Sequence, residues 1–526
     1  MTYDVIVVGG GMAGLTAAAY TARAGHSTLL LERQDYVGGL VNSFPYKDVL
    51  FDGGIRAIEN SGIVKPMLRQ LGIELDFIPS TVSLGVGEDV VDIRTKDDVL
   101  RYKELLRKQF PEDVKEIEII VDDMFRTMDY MDILYGIDNP LFLDWKENRS
   151  YLIKTILPWA FKYLFTVGTI KRYNAPVDEF LRTRTNNQAL IDVIGQHFFQ
   201  KTPAFFALSY FSLYLDYNYP RGGTGQLPNA LKEYLLEQGG TIQLKTTITG
   251  IDPVARTVTD EDGNVHSYRE LIWAADNRFL YQHLALDGLS PKIRKRIEKR
   301  RDVISDKRGG DSIYTVYATA TLPTKYFQSR HAGHFFYTPT TVGLADVMAR
   351  REAVLASTDK AEILAWLNDY YDFNTYEVSI PAMRDASLAP EGKTALIIST
   401  LFDYDVARHI RDLGWYDEFK AMSQKRILSI LEQAIYPDLS DHLVDVFSST
   451  PLTLEDRTNN TDGAITGWAF TNPTMPAEHR MPKIASSVKT PIPHVHQAGM
   501  WTFSPAGMPI SILTGKLAAD KANKAL

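Results

Sequence analysis

The chain has 526 residues, 45% of them hydrophobic and 11% aromatic, which is enough apolar material to fill two domains. Its formal charge of -8 argues against a nucleic-acid surface, because neutralising phosphates needs a net or strongly local positive field. With no cysteine, disulfides, Cys-ligated zinc, iron-sulfur clusters, thiol nucleophiles and attachment of a cofactor through sulfur are all excluded.

Residues 3–8, YDVIVV, form a short apolar run of the kind shown by a fully buried parallel strand. They leave no room for a charged and apolar leader, so the expected location is the cytoplasm. Directly after them come Gly9, Gly11 and Gly14 in G-x-G-x-x-G spacing, with Met12 and Ala13 opening a helix of small residues. One glycine serves the turn, one lets the backbone approach a pyrophosphate, and one permits helix-strand contact. A second strand, STLLLE, ends on Glu32, eighteen residues after Gly14, where a carboxylate can accept the hydroxyls of an adenosine ribose. These features fit NAD and FAD equally. The choice falls on the longer FAD because Gly38 and Gly39, in RQDYVGGLVNSF, would let a second loop lie against the phosphates and ribityl chain.

Residues 151–170, YLIKTILPWAFKYLFTVGTI, are interrupted by Lys154 and Lys162, and Pro158 would kink a helix there, so they do not read as a membrane span. They read first as core or cavity wall and second as a segment lying in a membrane interface. Residues 203–219 are helical and aromatic, and SIYTVYATATL, GHFFYTP and TALIISTLF are strand-like. GGTGQLP, residues 222–228, fails the dinucleotide spacing because Pro228 stands where the third glycine belongs, which argues against a second nucleotide fold for NAD(P)H. The basic run KIRKRIEKRR, residues 292–301, reads as a solvated helix face, with a patch for anionic lipid as the alternative. The eleven histidines form no HExxH or other compact constellation, so no metal is expected. His494 and His496, in PIPHVHQAG, are taken to sit on opposite faces of a strand and to be structural.

Several blocks resemble one family. ERQDYVGG looks like the E-(K/R)-x(4)-G-G segment of the FAD-dependent amine oxidase and phytoene desaturase superfamily, and FDGGIRAI resembles its D-x-G segment beside the flavin. Residues 219–251 and 450–468 are similar to segments of the branch holding phytoene desaturases, carotenoid isomerases and retinol saturases. AGMWTFSPAGMPISILTGKLAA matches the C-terminal flavin motif of that branch. By this resemblance the last segment approaches the isoalloxazine, with Gly507 and Pro509 at a helix N-terminus and Gly515, Ala518, Ala519 and Ala522 packing against the first helix.

The fold implied is α/β. A discontinuous Rossmann-type FAD-binding domain (residues 1–80, 219–284 and 496–526) is interleaved with an α+β substrate domain (81–218 and 285–495), a mixed sheet plus a helical apolar region at 150–218 that could face a membrane. The cofactor would be non-covalent FAD held by Gly9, Gly11, Met12, Ala13, Gly14, Glu32, Arg33, Gly38, Gly39, Leu40, Val41, Gly53, Gly54, Ile55, Arg56, Ile248, Ala275, Gly499, Met500, Gly507, Met508, Pro509 and Ile510. Arg56 is the catalytic candidate, a fixed cation that could stabilise reduced flavin or hold a carboxylate head group in two-pronged fashion. Retinol saturase relatives tend to show a histidine at its place. The implied activity is desaturation, saturation or isomerisation of carbon-carbon double bonds in an apolar polyene, retinoid or fatty-acid-like lipid, with a membrane surface as a further partner. The alternatives are a flavin amine oxidase, with an aromatic cage beside the flavin, and a non-catalytic lipid-binding flavoprotein.

Overall fold

The computed structural model describes residues 2–144 and 148–526. Its first sheet grows from the N-terminal strand Thr2–Val8, whose Val5, Ile6 and Val7 are fully buried, as a parallel strand covered on both faces requires. Thr28–Leu31 and Val265–Trp273 flank it in parallel. Thr241–Gln243 adds a further parallel strand beyond Thr28–Leu31, and Val495–Gln497 joins the end of Val265–Trp273. On the other side Thr257–Asp260 and Ile248–Asp252 complete an antiparallel extension. The first helix, Met12–Arg23, lies on this sheet beside the C-terminal helix, Met508–Ala525. Their contact is close because Gly515 carries no side chain: a Cβ there would overlap the backbone carbonyl of Ala13. Ala518, Ala519 and Ala522 are fully buried along the same line.

The second sheet runs Leu443–Ser449, Ser312–Ala320, Thr394–Phe402, Tyr376–Ser379, His334–Thr338, Val82–Val86 and Asp89–Ile93. Strand alternation divides its side chains. Phe335 and Tyr337 join a large aromatic core with Trp366, Tyr371, Phe402 and Phe419, whereas His334 and Phe336 on the other face line a cavity. A three-stranded ribbon links the two halves, with Tyr217–Pro220 between Ile58–Glu59 and Phe77–Pro79.

Two expectations are corrected here. His494 lies in the turn before the strand Val495–Gln497, with a left-handed backbone (φ 59°), and its ring and that of His496 converge on the buried Glu270 at 2.7 and 3.1 Å. Residues 151–170 are neither core nor cavity wall. A π-helical turn, Leu152–Ile156, precedes the helix Leu157–Ile170, and the wider turn falls just before Pro158, which has no N–H to donate and crowds the turn behind it. Trp159 anchors the helix by donating to the Ile133 carbonyl, and Thr166 is buried. The opposite face exposes Ile153 (68%), Leu157 (57%), Phe161 (63%), Leu164 (69%) and Phe165 (79%). Among the described residues no helix is long and apolar enough to cross a membrane.

The basic run forms the helix Pro291–Ser305, with Ile297 and Ile304 turned inward. Arg294, Arg300 and Arg301 donate to the carbonyls of Leu286, Pro476 and Tyr281. The GGTGQLP loop is also spoken for: Thr224 gives both its N–H and its hydroxyl to Asp52, at 3.0 and 2.9 Å.

Candidate active site

Four parallel strands end at one edge of the first sheet, at Val8, Leu31, Trp273 and Gln497. The residues that follow, Gly9, Glu32, Ala274 with Ala275, and Gly499, all line one cavity of about 660 Å³, the place where open α/β sheets bind ligands. Two helices also begin there, Met12–Arg23 after Gly11 and Met508–Ala525 after Gly507, and no side chain caps either N-terminus. Their free N–H groups and dipoles suit a pyrophosphate at one and an electron-rich ring edge at the other. A Cβ at Gly11 would meet nothing within 4 Å, so the motif borders open space. The loop bearing Gly38 is tied to it through Gly38 N–H and the Gly10 carbonyl, 2.8 Å apart. The residues present therefore fit a flavin dinucleotide.

Glu32 is held at the adenosine end, with one oxygen accepting from Gly10 N–H (2.6 Å) and the other from Gln34 N–H (2.8 Å). Burial raises its pKa against these bonds. Arg33, Gly39, Leu40, Val41, Gly53, Gly54, Ile55, Ile248, Met12, Ala13, Met500 and Met508 line the cavity. Gly14, Pro509 and Ile510 do not. Gly14 packs behind the turn, where a Cβ would overlap the Gly9 carbonyl, and so performs the helix-strand role alone. At the C-terminal helix, Met508 and Ser511 share the cavity face, and helical spacing turns the buried Pro509 and Ile510 inward.

Asp52 belongs to the bracket rather than to the cavity. Besides Thr224 it accepts from Ser43 Oγ (2.7 Å) and Tyr219 OH (2.8 Å), joining segments far apart in the chain. Arg56 lines the cavity, is 3% exposed, and donates through Nη1 to the Asp52 carbonyl (2.7 Å) and through Nη2 to Ser399 Oγ (3.1 Å). These two bonds fix the guanidinium in place while its buried Nε finds no acceptor, so the arrangement fits a fixed charge and leaves donors for a ligand as well.

Sequence reasoning missed three groups. Thr246, Thr247 and Thr249 flank Ile248 along the cavity. Asn460, Thr466 and Trp501 close the cavity, and Trp468 Nε1 donates to the Trp501 carbonyl at 2.9 Å. The segment around them stood out, but no single residue in it did. The third group carries the chemistry of the far end: Glu59, His334 and Glu377, with Phe199, Phe206, Tyr210, Tyr217 and Phe336. His334 Nε2 bonds Glu377 Oε1 at 2.8 Å across adjacent strands. Burial lowers the His334 pKa; burial pushes Glu377 up, but the bond from His334 and the nearby charges of His334, Arg56 and Arg384 outweigh it and leave it low. Burial holds His197 at about 4, an uncharged ring at neutral pH. Among the described residues no three metal-ligating side chains converge.

Fold and cavity together define a dinucleotide-binding flavoprotein built on two interleaved sheets. Residues 12–315 match the family of flavin containing amine oxidoreductases, more than half of the chain, and the protein belongs to that family. It is a flavin-dependent oxidoreductase. It is 26% identical over 292 residues to the inactive all-trans-retinol 13,14-reductase of Danio rerio, a match covering 50% of this chain and 43% of that relative. It is 22% identical over 466 residues to the chloroplastic prolycopene isomerase of Daucus carota, covering 86% and 69%. The fold is shared with putrescine oxidase bound to putrescine, at TM-score 0.60 and 13% identity over 99% of each chain.

Proposed function

We propose that this protein is an FAD-dependent oxidoreductase acting on carbon-carbon double bonds of an apolar polyene, retinoid or fatty-acid-like lipid, by desaturation, saturation or isomerisation. One observation carries the reading: a single cavity runs from the dinucleotide motifs to a wall of Phe199, Phe206, Tyr210, Tyr217 and Phe336. Such a wall suits a long unsaturated chain, and relatives named all-trans-retinol 13,14-reductase (Danio rerio, 22% identical over 546 residues) and prolycopene isomerase point the same way. When bound, the flavin supplies hydride acceptance and donation. The protein's part is to bind and orient. Glu32 and the two helix N-termini hold the cofactor's polar ends, Arg56 keeps a positive charge beside the cavity, and the aromatic wall excludes water from the reacting carbons.

The cofactor is held without a covalent bond in this reading, which the absence of cysteine supports; acid precipitation would then leave all flavin in the supernatant. The protein is cytoplasmic and meets its substrate at a membrane surface through the apolar face of Leu157–Ile170, flanked by the exposed Lys154, Lys162 and Lys171. Anaerobic titration of the yellow holoprotein with carotenoids, retinoids and fatty acids tests the substrate class. Bleaching of the flavin, or lipid converted on a prereduced flavin, is the expected outcome. Bleaching by amines alone, with peroxide release in air, would overturn it.

A further inference from the structure

Glu59 lines the cavity beside the aromatic wall. It closes the strand Ile58–Glu59 and is in register with Tyr217, whose hydroxyl lies 3.1 Å from that of Tyr210 on the aromatic wall. On its other side a Cβ at Gly507 would lie 3.6 Å from Glu59 Oε1, so the carboxyl adjoins the cap of the C-terminal helix. It lines the cavity, and among the described residues nothing hydrogen-bonds to it. The groups facing it are Asp216, Tyr135, Tyr210 and Tyr217, none of them a cation. Asp216 is itself engaged by Ser61 N–H at 2.7 Å. Glu377, by contrast, is tied to His334. The half-buried carboxyl opens onto the cavity rather than onto a protein partner, between the aromatic wall and the cap of the C-terminal helix, a placement that asks for a chemical role.

We propose that Glu59 is the catalytic acid/base that exchanges a proton with a carbon of the substrate's double-bond system, a role that rests on the lipid reading above. In saturation its O–H bond breaks and a C–H bond forms at one carbon, while the other carbon receives hydride from reduced flavin. In desaturation its carboxylate takes the proton of one C–H bond, whose electron pair becomes the new C=C, while hydride leaves the neighbouring carbon for oxidised flavin. In isomerisation it lends a proton and takes one back, with no net electron transfer. Burial, then the charge of Asp216, brings its pKa up to about 7, so both forms are populated near neutrality.

The test uses E59Q and E59D holoenzymes with flavin content checked by absorption. E59Q is expected to lower kcat on the best lipid by about 100-fold or more and to remove the pH-profile limb near neutrality, with E59D recovering part of the rate. A second readout is independent of turnover. A raised folded-state pKa means stability that is present at low pH and lost as pH rises through the folded value, so E59Q should gain in melting temperature over wild type between about pH 4.5 and 7. An active wild type whose E59Q variant keeps its rate within about threefold, or a melting-temperature gap flat across that window, overturns the assignment alone. A wild type inert towards every lipid strikes the substrate reading, and the proton assignment falls with it.

Discussion

At the scale of single residues, the site is built from groups whose surroundings decide what they do. Glu32 and Glu59 are both glutamates at the cavity, yet Glu32 is pinned by two backbone N–H groups and Glu59 by none. The shift of Glu59 from 4.5 to about 7 corresponds to about 3 kcal/mol of stability lost as pH rises across that interval. E59Q should therefore exceed wild type by roughly that amount at pH 8 and approach it at pH 4.5, as denaturant titrations at the two pH values would show. Gly14→Val is expected to abolish flavin binding, because its side chain would collide with the Gly9 carbonyl and force the motif open. Absorption of the purified variant at flavin wavelengths checks this.

At the scale of elements, two helices illustrate what patterning can and cannot tell. The small-residue line of the C-terminal helix was legible, because close approach leaves only Gly and Ala as choices, and the helix does lie against the first one. Gly515→Ala puts a methyl onto the Ala13 carbonyl and should cost about 1–3 kcal/mol, read from chemical denaturation. The helix Leu157–Ile170 was misread as core because it is apolar on most of its circumference, and composition alone does not say which face finds a partner. Phe161→Ser with Phe165→Ser should leave stability within about 0.5 kcal/mol, since both rings are exposed. The same double variant should lose flotation with anionic vesicles, and retained flotation would remove this face from the membrane reading.

At the scale of the molecule, cofactor and fold are one system. The cavity is lined by segments from residues 8 to 511 and by two helix N-termini without side-chain caps, so a bound flavin would join elements far apart in the chain. Stripping the flavin should lower the melting temperature, and adding FAD at about 100 times its Kd should restore about 2.7 kcal/mol. Scanning calorimetry of stripped and refilled protein measures it.

The strand-turn-helix unit, the glutamate at the end of its second strand and the flavin motif of the C-terminal helix were determined by sequence alone, because each depends on spacing within about thirty residues and on side chains that must be absent. The family and its cofactor follow from them. What only the tertiary structure decided are the pairings across long separations: Asp52 with Thr224, His334 with Glu377, Glu270 with His494 and His496, and Glu59 between Tyr217 and Gly507. None has a local signature, since two residues that meet through sheet register need share no motif. The chemistry of a carboxylate is set by neighbours that only folding brings to it.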